Sequence, residues 1–297
     1  MKKYFIFFLL FFINICTCNK QAYCQITEQK SNLHLDIKAS SYPDYEPFSY
    51  PEYTSDFIYL DTIFNNAVSK ILETNNIKTY VVSYDTYNDN IQGAKNGKFD
   101  LLFGIYNETH TEYKQFENIE YFYPAGIQNP IHLIMLPDNI SKIKSTTDLK
   151  KLKGIYIQKE YFSDYLHKIF TENNIQPVDT PLIAYEKLFL GEVDYIIGSY
   201  YYNYVQALKL GLKDYISFSK KPLWTMPMFI AISLKSKNYS RLKSLISKNI
   251  TKQSFAKDIE ESLKNIVKKY EEKNIGIVPP LFVLQQNDAL TPADEKQ

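Results

Sequence analysis

The chain has 297 residues, 45% of them hydrophobic, with 34 basic and 33 acidic residues. That length and apolar content can bury one large core or two ordinary ones, and two domains is the expected organisation. The near-neutral balance, with lysines scattered rather than gathered into a stripe, argues against a nucleic-acid partner.

The first residues, MKKYFIFFLLFFINICTC, put Lys2 and Lys3 before an apolar run from Phe5 to Ile13. The run is too short for a comfortable membrane span and reads as a secretory signal peptide over residues 1–24. Cys16, Cys18 and Cys24 all lie at its end, so a disulfide or cysteine-based metal site is not expected in the mature protein. Cys16 and Cys18, or Ala22 and Cys24, can serve as the small residues of the cleavage site. Lipid attachment at Cys18 is disfavoured by Thr17. Without residues 1–24 the chain keeps 31 basic against 33 acidic residues.

Asn32 to Lys38 alternates apolar and polar residues as a strand does, and a loop rich in Pro and Tyr, SSYPDYEPFSYPE, follows. From Ser55, the residues Phe57, Leu60, Phe64, Ala67 or Val68, and Ile71 recur at helical spacing. Thr79 to Tyr84 is a second strand, Asn90 to Lys95 a short helix, and Phe99 to Gly104 a third strand. The same grammar resumes with a strand at Leu152 to Gln158, a helix at Phe162 to Asn173, and a helix, glycine and strand in AYEKLFLGEVDYIIGS. Alternating strands and helices argue for parallel sheets covered on both faces.

One phrase occurs twice: GKFDLLFG, Gly97 to Gly104, and GEVDYIIG, Gly191 to Gly198. Each reads as a helix stop, a buried strand and a glycine where backbone can approach closely. Two copies, each running into a polar, tyrosine-containing loop at a strand's carboxyl end, predict two related lobes facing one cleft. The segments Pro124 to Met135 and Lys220 to Ser233, extended and proline-containing, have the character of a paired-strand hinge. Two final helices, Tyr239 to Asn249 and Phe255 to Lys273, are expected to pack on the first lobe, the second through Phe255, Ile259, Leu263, Ile266 and Tyr270.

Catalytic signatures are weak. His34, His110, His132 and His167 show no metal-ligand spacing, and there is neither a nucleophile elbow nor a phosphate-cradling loop. The 26 tyrosines and 19 phenylalanines, beside a single arginine, Arg241, fit the bias of an AT-rich coding sequence, so individual tyrosines count only by position.

With these elements in place the chain resembles the extracellular solute-binding proteins of ABC importers, in particular the family-3, amino-acid-type group. YEPFSY, Tyr45 to Tyr50, resembles the aromatic loop after that family's first strand. GKFDLLFGIYNETHTEYKQFE resembles its Gly-Lys-Tyr-Asp strand and ligand loop, TTDLKKLKGIYIQ the start of its second lobe, and GEVDYIIGS its Gly-x-Val-Asp strand. The resemblance implies an α/β protein of the two-lobed type II periplasmic-binding fold, with two open sheets, flanking helices and a two-crossing hinge. Residues 30–126 plus 228–275 would form lobe 1, 127–227 lobe 2, and 276–297 a C-terminal tail.

It also implies ligand-binding residues: Tyr45, Phe48, Tyr106, Asn107, Glu108, Thr109, Glu112, Gln158, Tyr161, Ser199, Tyr200 and Trp224. Trp224 either walls the cleft or anchors the core. Counted without gaps, Thr109 and Gln115 match the family, but the arginine that grips an α-carboxylate falls on Glu112 and the aspartate that holds an α-ammonium falls on Ser199. A one-residue gap would put Tyr113 or Lys114 at the arginine position. Lys159, Glu160 and Tyr161 replace the Gly-Thr or Gly-Ser of the second-lobe loop, which sets Glu160 at an anion-favouring helix start.

The expected function is therefore capture of a small polar or cationic solute in the periplasm by a monomeric protein that delivers it to an inner-membrane ABC permease, with no cofactor, no metal and no nucleic acid. Two alternatives stand beside it: a periplasmic dehydratase or lyase on the same scaffold, with Glu108 or Glu112 as general acid, and a soluble ligand-sensing partner of a receptor.

Overall fold

The computed structural model describes residues 35–41, 45–53, 58–82, 86–106, 117–124, 126–143, 146–160, 162–274, 277 and 280. The strands are β1 (Leu35–Ser41), β2 (Ser49–Tyr53), β3 (Ile58–Thr62), β4 (Ile77–Val81), β5 (Leu101–Tyr106), β6 (Ile119–Tyr121), β7 (Ile127–Met135), β8 (Gly154–Ile157), β9 (Gln176–Val178), β10 (Tyr195–Ser199), β11 (Ser217–Phe218) and β12 (Trp224–Ser233). The helices are α1 (Ile63–Glu73), α2 (Tyr87–Lys95), α3 (Asp164–Glu172), α4 (Pro181–Phe189), α5 (Tyr200–Lys209), α6 (Tyr239–Ile250) and α7 (Gln253–Lys273).

Two parallel ladders build the halves. In one, β1 lies between β4 and β5; in the other, β8 lies between β10 and β9. The crossing segments pair as the sequence predicts: β7 runs antiparallel to the first half of β12, with Asn129 opposite Met226. The second half of β12 pairs with β5, and β10 pairs with β7. Ten residues of β12 therefore reach both halves, and the ladders join through the crossing strands into one curled ten-stranded sheet rather than two separate ones.

The repeated phrase does the same mechanical work in both ladders. Gly97 and Gly191 follow their helices with φ of +74° and +70°, a conformation only glycine adopts without strain. The Asp100 carboxylate accepts the Lys38 N–H at 3.1 Å, and the Asp194 carboxylate accepts the Lys153 N–H at 2.8 Å, each tying its strand to the neighbouring one. In each copy the aspartate N–H also donates to the carbonyl of that same lysine.

The helix expected from Ser55 begins only at Ile63; Ile58–Thr62 is instead a strand paired with β2. Ile58, Leu60 and Thr62 satisfy a period of two as readily as Leu60 and Phe64 satisfy a helical one. Thr62 then ends the strand and caps the helix, accepting the Asn65 N–H at 2.8 Å. Thr86, Ser163, Thr180 and Ser199 cap four further helices in the same way.

Helix α7 buries Phe255, Ile259, Leu263 and Tyr270. It packs on α1, as expected, but Tyr270 also joins Val205 and Leu208 of α5, and Glu271 accepts the Tyr204 hydroxyl at 2.7 Å. The C-terminal helix thus touches both halves.

Candidate functional site

At the carboxyl ends of β1, β5, β8 and β10, beside the crossing strands, the chain buries a connected set of polar groups. Asn129, on β7, is its hub and is fully buried. Its amide nitrogen donates to the Tyr106 hydroxyl at 3.0 Å and to the Tyr45 hydroxyl at 3.4 Å, and its carbonyl oxygen accepts the Ser199 hydroxyl at 2.7 Å. Ser199 Oγ is at the same time the cap of α5, accepting the Tyr202 N–H at 3.4 Å.

Glu160 completes the set from the loop after β8. One carboxyl oxygen accepts the Ser199 N–H at 2.7 Å, and the other accepts the Asn203 side-chain amide at 2.8 Å. Asn203 is one helical turn beyond Ser199, which brings its side chain back over the helix start. Tyr185 of α4 donates to the Asn203 carbonyl at 3.0 Å. Burial pushes the Glu160 carboxyl up to about 8, although the donors from Ser199 and Asn203 pull the other way. Burial likewise raises the Tyr45 and Tyr185 phenols well above their ordinary range.

Aromatic rings close over this floor. Tyr45 stacks on Phe48 at 5.4 Å and on Tyr202 at 5.2 Å, and Phe48 meets the Tyr201 ring edge at 5.8 Å. Further along α5, Lys209 reaches Glu46 at 2.8 Å. Residues 202, 206 and 209 therefore face the 45–48 loop, while Tyr204, Val205 and Leu208 face α7. The helix whose amino end forms the floor is held on both sides.

The structure thus brings together Tyr45, Phe48, Tyr106 and Ser199 of the sequence-predicted site residues. Tyr200 turns to the other side of α5, against Phe218 at 4.8 Å and His132 at 5.6 Å. Trp224 stands at the start of β12 against the Tyr165 ring at 4.5 Å, and the Gln158 side chain is exposed. Asn107, Glu108, Thr109, Glu112 and Tyr161 lie outside the described residues. Glu160 does favour a helix start, but it is that of α5 and not of α3, because α3 is capped by its own Ser163.

Sequence reasoning missed Asn129, Tyr185, Tyr202 and Asn203. One signal was available: in IQNPI the inward positions are 127, 129 and 131, and an asparagine stands where the alternation calls for an apolar residue.

Glycine placement follows from this packing. A Cβ on Gly198 would lie 2.2 Å from the Asn203 amide nitrogen and 2.6 Å from a Glu160 oxygen, whereas one on Gly191 would meet nothing within 4 Å. We expect Gly191→Ala to cost about 1 kcal/mol, the backbone strain alone. Gly198→Ala should cost more than about 2 kcal/mol, since two buried, bonded side chains must move. Urea denaturation of both variants checks the order, and equal losses would contradict it.

Among the described residues no group of His, Cys, Asp and Glu could hold a metal, and no helix is long and apolar enough to cross a membrane. Residues 60–164 match the family model OpuAC, the substrate-binding domain of ABC-type glycine betaine transport systems. A search of curated proteins finds no match. Among solved structures, the GluR0 ligand-binding core in complex with L-glutamate is similar with a TM-score of 0.59 and 14% identity, covering 78% of this chain and 99% of that one. AbpA of Streptococcus pneumoniae, an amino acid ABC transporter substrate-binding protein bound to L-arginine, gives 0.57 and 13%, covering 83% and 98%. A histidine kinase sensor domain with similarity to periplasmic binding proteins gives 0.53 and 15%, covering 83% and 99%. At these identities the likeness is one of architecture, and by architecture the chain has the type II periplasmic-binding-protein fold.

Proposed function

We propose that this protein is an extracytoplasmic solute-binding protein that takes a small cationic or neutral polar solute between two lobes and delivers it to an ABC-type importer. The observation that carries the reading is the buried set of Tyr45, Tyr106, Asn129, Glu160 and Ser199 at the strand ends beside the crossing, where open α/β sheets bind ligands. The two lobes of this reading are residues 30–126 plus 228–275 and 127–227, meeting along the antiparallel pair β7 and β12 within the one continuous sheet. The match to a transport-system substrate-binding domain over residues 60–164 supports the importer, and a secreted, monomeric protein is in keeping with it.

The solute class follows from charge. A free amino acid needs a cation for its carboxylate and an anion for its ammonium. Among the described residues the buried groups of the site are phenols, amides, a serine and one acid, and the Lys209 cation at the far end of α5 is already paired with Glu46. In the sequence Glu112 falls at the expected arginine position, and Asn107 enters this reading as a polar partner through the motif resemblance alone. Losing a charge-assisted contact at the carboxylate costs about 1.5–3 kcal/mol. We therefore expect calorimetry to give dissociation constants of about a millimolar or weaker for the neutral L-amino acids. Native mass spectrometry of protein purified from its host should show a retained organic cation or neutral polar molecule. A submicromolar constant for any neutral amino acid would overturn the reading of the charge pattern.

A second reading has its own support. The likeness to a histidine kinase sensor domain covers 83% of the chain, as much as the likeness to the transport protein does, and that to the GluR0 ligand-binding core covers 78%. A solute-loaded protein that docks on a receptor would use the same cleft, and co-purification from membranes with a receptor rather than a permease would favour it.

A further inference from the structure

We propose that the solute enters as a cation in exchange for a proton held on Glu160, an inference that rests on reading the buried set as the floor of a solute cleft. Glu160 is 4% exposed, and both of its donors, the Ser199 N–H and the Asn203 amide, are neutral. It makes no ion pair with any described residue: the nearest cation–anion pair on α5, Lys209 with Glu46, stands at the far end of that helix. The titratable groups that face it are phenols, Tyr45 from the loop after β1 and Tyr185 from α4, with Tyr202 of α5 and Tyr106 of β5 one contact further out.

An ionised carboxylate sealed among neutral groups is costly; the Ser199 N–H and the Asn203 amide offset part of that cost, and a proton or a cation relieves the rest. Burial pushes the Glu160 carboxyl to about 8, so near neutrality a proton is what it holds. Tyr45, whose phenol faces Glu160, has its ring stacked with those of Phe48 and Tyr202, and a solute that parts this stack meets tyrosine faces, which attract organic cations. The exchange balances without further reactants. The Glu160 carboxylic acid and a solute cation give a carboxylate–cation pair and a proton released to solvent, with one positive charge on each side. Affinity for a cation must then tighten about tenfold for each pH unit gained below pH 8 and level off above it, while an uncharged analogue shows no such slope.

The test uses the mature chain, titrated with methylguanidinium and tetramethylammonium, and with methylurea as the uncharged control. Calorimetry in two buffers of different ionisation enthalpy should find about one proton released per cation bound at pH 6.5 and none for methylurea. Carbon-13 NMR of the solute-free protein should show Glu160 titrating near pH 8 and moving toward the ordinary carboxylate range when cation is added. Glu160→Gln keeps an acceptor for the Ser199 N–H and should abolish both the proton release and the pH slope. Glu160 titrating in the ordinary range overturns the exchange and leaves the cleft reading standing. A raised midpoint that neither cation shifts overturns the exchange and the cationic-solute reading together. The NMR measurement needs no variant, so misfolding of Glu160→Gln does not spare the proposal.

Discussion

Asn129→Ala is expected to lose about 3–5 kcal/mol of stability, read as a fall in the urea midpoint with an unchanged slope. The amide has no exposed surface and bonds three hydroxyls, those of Tyr45, Tyr106 and Ser199. Removing it takes away three bonds of roughly 1 kcal/mol each and leaves buried hydroxyls short of partners, at about 1–3 kcal/mol for each that finds no substitute. The Tyr45 phenol lies beside the Tyr106 phenol and the Ser199 hydroxyl, so these groups can re-pair with one another and the estimate stays below the full sum. The backbone of β7 keeps its pairing with β12 and β10, which confines the loss to the side chain. Gln158→Ala, at an exposed position, should change stability by less than about 0.5 kcal/mol. A loss under about 1 kcal/mol at Asn129 would show that water replaces the amide and that the hub is open to solvent in solution.

What the sequence disclosed and what it withheld divide along a physical line. The repeated glycine–aspartate phrase was legible because its parts act locally: a positive φ at Gly97 and Gly191, and an aspartate bonding the strand next door. The hinge was legible for the same reason, since β7 and β12 are extended, apolar and broken by proline. Residues 58–62 were misassigned because five residues fit two periods, and the choice was made by pairing with β2, which no local pattern contains. The single curled sheet was hidden in the length of β12, ten residues long enough to serve both ladders. Tyr45, Phe48, Tyr106 and Ser199 came from a motif resemblance; Asn129, Tyr202 and Asn203 did not, because a polar hub is defined by partners as far as 84 residues apart. Glu160 was noticed for the right chemistry at the wrong helix: its carboxyl seeks unsatisfied N–H groups, and Ser163 had already served α3.

The stability of the solute-free protein is expected to fall as pH rises from about 6.5 to about 8. Glu160 has an ordinary value of 4.5 and titrates near 8 in the folded chain. Between those values the folded state holds a proton that the unfolded state has released, so raising the pH favours unfolding by about 1.4 kcal/mol per unit. The contribution is whole below pH 4.5 and gone above about 8. Over the full window it amounts to about 4–5 kcal/mol, a ceiling that relaxation and water penetration would lower. Other groups are separable by sign or by range. The His132 imidazole is held below 6.5 by burial, so its effect runs the other way and is confined to pH below that value. The Glu120 carboxyl is held below 4.5 by Lys243 and Tyr239, which outweigh its partial desolvation, and it acts only in acid. Tyr45 and Tyr185 titrate above 10, beyond the window on the alkaline side. Among the described residues the slope between 6.5 and 8 therefore belongs to Glu160, and subtracting the profile of Glu160→Gln from that of the wild type isolates it. Urea denaturation at half-unit steps is the measurement. A wild-type profile that is flat or rising across this interval, with the variant running parallel to it, would mean that solvent reaches the carboxyl and that the aromatic cover formed by Tyr45 and Tyr202 stands open in the solute-free protein.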